Sequence, residues 1–493
     1  MNSWLLLPIL FPMLAGGLLP LVTPGENHAW RRKYVAAAVM LNTLFVFFVV
    51  SLGSLELRTL EITSAINLYL KLDDLSRFFL LLASGIWILV TFYSFEYMEN
   101  DKKDARFFAF FLLTYGVIMG ACLAGNFFTL YLFYELMTLC SYPLVVHAGT
   151  PESMKAGAKY LMYSFFGAAL TLICFIFVAN FGLTTDFIAG GVLDPTLTAG
   201  SEGSLLFIFF LAFLGFGCKA YIWPLFDWVP ASYPMAPAPV AALLSGVVSK
   251  IAVLAIIRVS FYLFGLDFIQ GSWVQTVLLC MALLTVFLGS MLAYKEKLFK
   301  RRLAYSSVSQ LSYVLFGIVL LNPIAFLGAM LHVAFHAIIK VILFLSAGAI
   351  AHKAQKSYVF ELKGVGKAMP ITMWCFTIAA VSLVGIPPTI GFLSKWYLAM
   401  GGIDSTHPSL GIFGAGILLI SALLTAGYLL SIVADAFFPG ARFNYDKLVK
   451  TEAGKRMTVP LVILAALCLF LGIFPGLLIE FINNITAILF LAR

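Results

Sequence analysis

Five basic side chains of this 493-residue chain stand where a positive charge is costly. Lys219, Lys250, Arg258, Lys340 and Lys395 each fall within a long apolar run. A charge at the centre of a bilayer costs about 2.5–3.5 kcal/mol on insertion scales, so such residues face a partner or a wet cavity. Glu135 lies in the same kind of setting, in "LYLFYELMTLCSYPLV". His332, His336 and Lys340 recur every four residues in "MLHVAFHAIIKVILFLSAG", which places them on one stripe of an otherwise apolar helix. The chemistry these types suit is proton transfer. Burial disfavours the charged form of a lysine and a nearby carboxylate favours it, so a buried lysine that can approach or leave a glutamate takes up and releases a proton near neutral pH. One unit of pKa is about 1.4 kcal/mol, and a proton crossing 100 mV carries about 2.3 kcal/mol. The two scales match. Histidine, which titrates near neutrality unaided, suits a relay between such lysines.

Plainer readings explain less. A structural ion pair would account for Glu135 with one lysine, but not for four buried lysines and two histidines. Two histidines four apart could ligate a metal, but no further Cys, Asp or Glu accompanies them and no H-E-x-x-H pattern exists, so no metal is expected. Arg258 lies near a run's end and reads as a snorkelling side chain. Asp227 is read either as orienting its loop or as feeding protons.

The elements that must position these groups follow from composition. The chain is 62% hydrophobic and 11% charged, with mean hydropathy +1.01, which belongs to an all-α polytopic membrane protein. Residues 1–22 lack a basic leader region and read as a first span, not a cleaved signal. The seven cysteines lie in apolar segments without a CxxC pair, so they read as small buried apolar residues and not as iron–sulfur or zinc ligands. Apolar runs of about 20 residues mark 14 transmembrane helices. Alternate loops collect 22 of the 31 basic residues, among them Arg31, Lys102, Lys155, Arg301, Lys353, Arg442, Lys447 and Arg456. The opposite loops and the tail hold four: Arg58, Lys71, Arg77 and Arg493. Basic loops stay cytoplasmic, so the pattern predicts both termini on the outer side of a cell's inner (cytoplasmic) membrane.

Two spans should be broken. Pro224 cannot donate to the carbonyl one turn back, so span 7 (204–225) should break just after Lys219. Gly385, Pro387, Pro388 and Gly391 interrupt span 12 (371–401), and Lys395 follows. Broken membrane helices line cavities, and a pair of them five spans apart points to inverted repeats. The expected divisions are 1–105 (spans 1–3), 106–264 (first five-helix repeat, spans 4–8), 273–438 (second five-helix repeat, spans 9–13) and 457–493 (span 14 and a short packing or interfacial helix).

"GFGCKAYIWPLFDWVPASYPMAPAPVAALLSGVVSKIAVLAIIR" (215–258), "RRLAYSSVSQLSYVLFGI" (301–318), "HVAFHAIIKVILFLSAG" (332–348) and "GIPPTIGFLSKW" (385–396) resemble the motifs of the proton-translocating family shared by respiratory complex I and Mrp-type cation/proton antiporters. The resemblance implies a proton path. Glu135 matches the span-5 glutamate, Lys219 its span-7 partner, Lys250 the bridging lysine of span 8, His332, His336 and Lys340 the polar span-11 helix, and Lys395 the terminal lysine of span 12. Half-channels would join this axis to each side. It also implies membrane-subunit partners in a hetero-oligomer, protons and sodium as the ions moved, and no cofactor. Lysine in span 12 disfavours the complex I class that has glutamate there, and size and motifs look most like the D-subunit class of Mrp-type antiporters. The alternative is a proton- or sodium-pumping arm of a complex I-like or hydrogenase redox complex, whose redox chemistry would belong to other chains. A stand-alone solute carrier would instead gather polar groups at one midplane pocket.

Overall fold

The computed structural model describes residues 2–23, 27–63, 65–440, 443 and 449–491, so Arg442, Lys447 and Arg493 lie outside the described residues. The protein is mostly helical. Among the described residues, eleven helices are long and apolar enough to cross a membrane, which makes this a polytopic membrane protein. The first six long helices are α1 (Leu7–Val22), α2 (His28–Ser51), α3 (Asp74–Tyr97), α4 (Asp104–Cys122), α5 (Phe127–Val145) and α6 (Pro151–Phe181). Their starts are written locally: Asp73 accepts from the Ser76 N–H ahead of α3, Asn126 from Thr129 ahead of α5, and Thr150 from Ser153 ahead of α6.

The expectation of an all-α chain needs one correction. Between α2 and α3 an antiparallel hairpin pairs β1 (Leu55–Glu61) with β2 (Asn67–Leu72), Leu57 opposite Leu70 and Thr59 opposite Leu68. Its leucines alternate with polar residues, the pattern of a half-buried strand, and its inner face covers the start of α5, where Asn126 donates to Asn67 and Thr129 accepts from the Tyr69 N–H.

The next run ends early. α7 (Glu202–Gly217) stops before Lys219, residues 218–227 are not α-helical, and α8 (Trp228–Met235) resumes beyond them. Tyr221, inside the gap, takes the left-handed backbone region with φ 66°. Pro224 has no N–H with which to continue a helix. α9 (Ala238–Phe264) then contains two wide π-helical stretches, Leu244–Val248 and Arg258–Phe264, and is wholly buried. α10 (Trp273–Lys295) packs on α11 (Phe299–Val319). α12 (Pro323–Ala354) starts on an Asn322 cap and is buried without a break from Ala325 to Ile350.

Span 12 is two helices, α13 (Pro370–Val384) and α14 (Ile390–Ile403). Gly385 ends α13 in the left-handed region at φ 92°, where a residue without Cβ carries no penalty. Gly391 lets the halves meet: a Cβ there would sit 1.7 Å from the Ser382 carbonyl. α15 (Pro408–Phe437), α16 (Lys455–Ile473) and α17 (Gly476–Leu491) complete the bundle, α17 packing Phe490 against Phe261 and Phe326.

Ion pairs gather the basic loops on one face. Arg32 meets Glu99 at 2.7 Å, Arg456 meets Glu99 at 3.6 Å, and Lys353 meets Glu96 at 2.9 Å. The cysteines are buried except Cys140, which is half-buried, and Cys280, which is exposed. Cys280 lies on an outward stripe of α10, a position that composition alone could not separate from the core.

Candidate functional site

Lys219 stands just past the end of α7, and α5 brings Glu135 to it. Its Nζ lies 3.8 Å from Glu135 Oε1, donates to the Tyr134 carbonyl at 3.3 Å, and sits 3.7 Å from the centroid of the Tyr134 ring. The lysine is buried to 1% exposure and the glutamate retains 18%. At this separation the charges attract without a formed hydrogen bond, and Glu135 Oε1 has no other partner. The carboxylate is close enough to favour the ammonium, while a carbonyl and a ring face hold the lysine if the pair opens.

Lys250 lies two residues past Leu244–Val248. Its Nζ donates to the Ser245 carbonyl at 2.5 Å and lies 3.3 Å from Ser249 Oγ and 2.6 Å from His336 Nδ1. An ammonium here donates to Nδ1, whereas a neutral amine accepts from an Nδ1–H. The pair can therefore hold one proton on either side. One turn earlier on α12, the His332 ring stacks at 5.8 Å on that of His336 and at 5.5 Å on Tyr313, with Nδ1 2.9 Å from Ser394 Oγ of α14. Among the described residues, the Nε2 atoms of both histidines have no hydrogen-bond partner.

Lys340 is held by α11: Nζ donates to the Leu303 carbonyl at 3.0 Å and to Ser306 Oγ at 2.7 Å, and Tyr428 OH donates to the same serine at 2.9 Å. Lys395 Nζ donates to the last carbonyls of α13, Leu383 at 2.6 Å and Val384 at 3.0 Å. A half-helix thus turns its partially negative end on an ammonium. Tyr313 lies 5.2 Å from the same Nζ, so one ring faces both Lys395 and His332.

The structure thus brings Glu135 to Lys219, and Lys250 to His336 and His332. Among the described residues, no direct hydrogen bond joins Lys219 to Lys250, or Lys340 or Lys395 to the others. Hydroxyls occupy the intervals instead. Tyr221 meets Tyr233 and donates to the Leu244 carbonyl at 3.2 Å, beside the turn that anchors Lys250. Ser245 meets Ser307 at 2.9 Å, next to the Ser306 that holds Lys340. No cluster of three or more His, Cys, Asp or Glu is placed to hold a metal ion among the described residues.

Residues 124–425 match the family described as "NADH:quinone oxidoreductase/Mrp antiporter, TM", and 61–108 match "NADH-Ubiquinone oxidoreductase (complex I), chain 5 N-terminus". The chain belongs to the NADH:quinone oxidoreductase/Mrp antiporter family. It is 32% identical to an NADH-quinone oxidoreductase subunit of Desulforudis audaxviator over 80% of this chain and 81% of that one. It is 29% identical to the D-type Na(+)/H(+) antiporter subunit of Alkalihalophilus pseudofirmus over 96% and 94%. A chain of the solved Mrp complex from Dietzia sp. DQ12-45-1b shares its fold with a TM-score of 0.86 at 23% identity, covering 99% of this chain and 97% of that one.

In this family member Arg258 departs from the expectation drawn from its sequence position. It does not snorkel. It is buried, donates to both carboxylate oxygens of Asp73 at 2.5 and 2.7 Å, and lies 4.6 Å from the Tyr262 ring. Asp73 is 185 residues away, so no local pattern announced the pair. Asp227 pairs with Lys159 at an exposed position. Tyr134, Tyr313, Ser306 and Ser394 were missed as well. For Ser306 and Tyr313, hydroxyl spacing on α11 ("AYSSVSQLSY") was the available signal.

Proposed function

We propose that this chain is a proton-translocating antiporter subunit of a multisubunit membrane complex, exchanging protons for a monovalent cation, sodium first among them. Protons pass along Glu135, Lys219, Lys250, His336, His332, Lys340 and Lys395. The observation that carries this reading is the Lys250–His336 contact of 2.6 Å, between stretches of two helices that are buried on every side. A shared proton between a lysine and a histidine, shielded from lipid on every side, serves transfer and has no counterpart in simple packing. Among the described residues Glu135 Oε1, His332 Nε2, His336 Nε2 and the Gln310 side-chain atoms have no hydrogen-bond partner, which suits a path completed by water.

The finer architecture belongs to the same proposal. Fourteen spans follow when α7–α8, α11 and the α13–α14 pair are counted with the eleven long helices. The repeats are 106–264 and 273–438, each with one break and a lysine beside it, after the N-terminal unit 1–105 and before 457–493. The basic face is cytoplasmic, in the cell's inner membrane, with both termini outside.

The identity to the quinone oxidoreductase relative supports a second reading, in which a redox partner drives the same path. Both are tested in inverted vesicles by following internal pH after a sodium pulse and after a reductant. Glu135→Gln or Lys219→Ala should cut the response about a hundredfold, the scale of a lost proton-transfer group. Undiminished flux in both variants would remove the path, and a response to reductant but not to sodium would select the redox-driven reading.

A further inference from the structure

A second group of lysines lies apart from the proton axis. Where the end of α8, the start of α11 and the end of α12 meet on the basic face, a cavity of about 200 Å³ is lined by Met235, Phe299, Lys300, Ala347, Ala351 and Lys356, among others. Its floor is seven residues along α12 from Lys340, about 10 Å of helix rise. It is therefore not the site described above.

The cavity is built for an anion that the chain itself does not supply. Among the described residues, Lys300 Nζ finds only the Ala236 carbonyl, at 3.5 Å. Neither Lys300 nor Lys356 forms an ion pair among the described residues. Of the nearby carboxylates, Glu361 attracts Lys356 from beyond ion-pair distance, and both it and Glu296 are turned to backbone donors. Glu361 accepts from the N–H groups of Ser357 and Tyr358, and Glu296 from those of Lys297 and Leu298. The start of α11 adds donors. Leu298 caps it without a side-chain hydrogen bond, the Phe299 N–H goes to the Ser357 carbonyl, and the Arg302 N–H goes to the Leu298 carbonyl. The N–H groups of Lys300 and Arg301 in that first turn have no acceptor among the described residues. Two free N–H groups at the positive end of a helix, with two ammonium groups beside them, match an anion with three or more oxygens better than a carboxylate with two.

We propose that this cavity binds a phosphate group, presented by an anionic lipid headgroup or by a small phosphate compound from solution. Lys300, Lys356 and the first turn of α11 hold its oxygens, and the Ala347–Ala351 wall leaves room for the group to which the phosphate is esterified. The site goes beyond the proton path and does not depend on it. Basic pockets between membrane helices on the cytoplasmic side are the ordinary seat of phospholipid headgroups.

The test uses the intact complex, purified in phosphate-free detergent, and reads thermal unfolding during titration with dioleoyl phosphatidic acid, dioleoyl phosphatidylcholine or inorganic phosphate. The expected result is a saturable upward shift of about 2 °C or more with a phosphomonoester probe. Half-saturation should weaken about tenfold in K300Q/K356Q and persist in K300R/K356R, because each arginine keeps a charge-assisted donor. A shift with phosphatidic acid alone assigns the lipid source, and an equal shift with inorganic phosphate assigns the soluble one. Should the glutamine variant fail to assemble, A347L/A351L fills the same space without touching a charge and should abolish the shift. No shift in the unaltered protein with either phosphate probe, or a shift that survives both kinds of variant, overturns the proposal.

Discussion

Lysine and arginine are both cations, but only lysine can give up its proton under ordinary conditions. That difference separates a charge needed for folding from a charge needed for transfer. Lys219→Arg keeps the attraction to Glu135 and the contact with the Tyr134 ring, so the assembled complex should form in normal amount. Its sodium-driven pH response should nonetheless fall about a hundredfold, because the step that requires a neutral side chain is lost. Near-normal flux in this variant would show that Lys219 acts only as a fixed charge. At this scale the sequence was most informative. A lysine amid Leu, Phe and Ile is conspicuous because burial of a charge needs a reason, and every titratable residue picked out on that ground is buried or half-buried in the bundle. What it concealed were groups at home anywhere. Ser306 and Tyr313 carry no charge to betray them, and Asp73 sits at a helix cap where an aspartate needs no further explanation.

At the scale of the helix, the breaks do the positioning. α13 ends with its carbonyls aimed at Lys395, and α14 can lie close enough only because residue 391 has no side chain. Gly391→Ala should therefore press a methyl group into the Ser382 carbonyl and force the halves apart. The expected cost is about 1–3 kcal/mol, read as a lower unfolding temperature together with slowed proton release. An alanine variant with unchanged stability and flux would mean that the junction is looser than its geometry indicates. Proline and glycine made both interruptions readable in advance, but not their extent. The gap before α8 spans ten residues, and its left-handed Tyr221 has no sequence signature. The β1–β2 hairpin was also obscured, because seven and six residues between two long spans pass for an ordinary loop when apolar stretches of 20 dominate the reading.

Across the whole molecule α3 works as a tie. At one end Asp73 holds Arg258 of α9, and at the other Glu96 pairs with Lys353 in the last turn of α12 and accepts from the Gly454 N–H ahead of α16. Asp73→Asn leaves a buried guanidinium without its counter-charge and should cost about 3–5 kcal/mol. Burial opposes ionisation of Asp73, but the Arg258 guanidinium and the Ser76 N–H outweigh it and hold the carboxyl below its usual range. A carboxyl that is more acidic in the folded state contributes stability above its unfolded pKa of about 3.9. That stability is lost as pH falls through the folded value. The unfolding temperature of the solubilised complex should thus drop below roughly pH 4, and D73N should flatten that part of the profile. An identical acid limb in both proteins would assign the sensitivity to other carboxylates.

α9 and residues 325–350 of α12, buried on every side, have a consequence for how the chain tolerates change. A helix with one greasy flank can swap leucine for valine or phenylalanine there at little cost, since acyl chains rearrange around the new shape. These two have no such flank. A saturation library scored for growth should show two deep troughs of intolerance at 238–264 and 325–350, reaching even leucines that touch no polar atom, while α15 retains a permissive side.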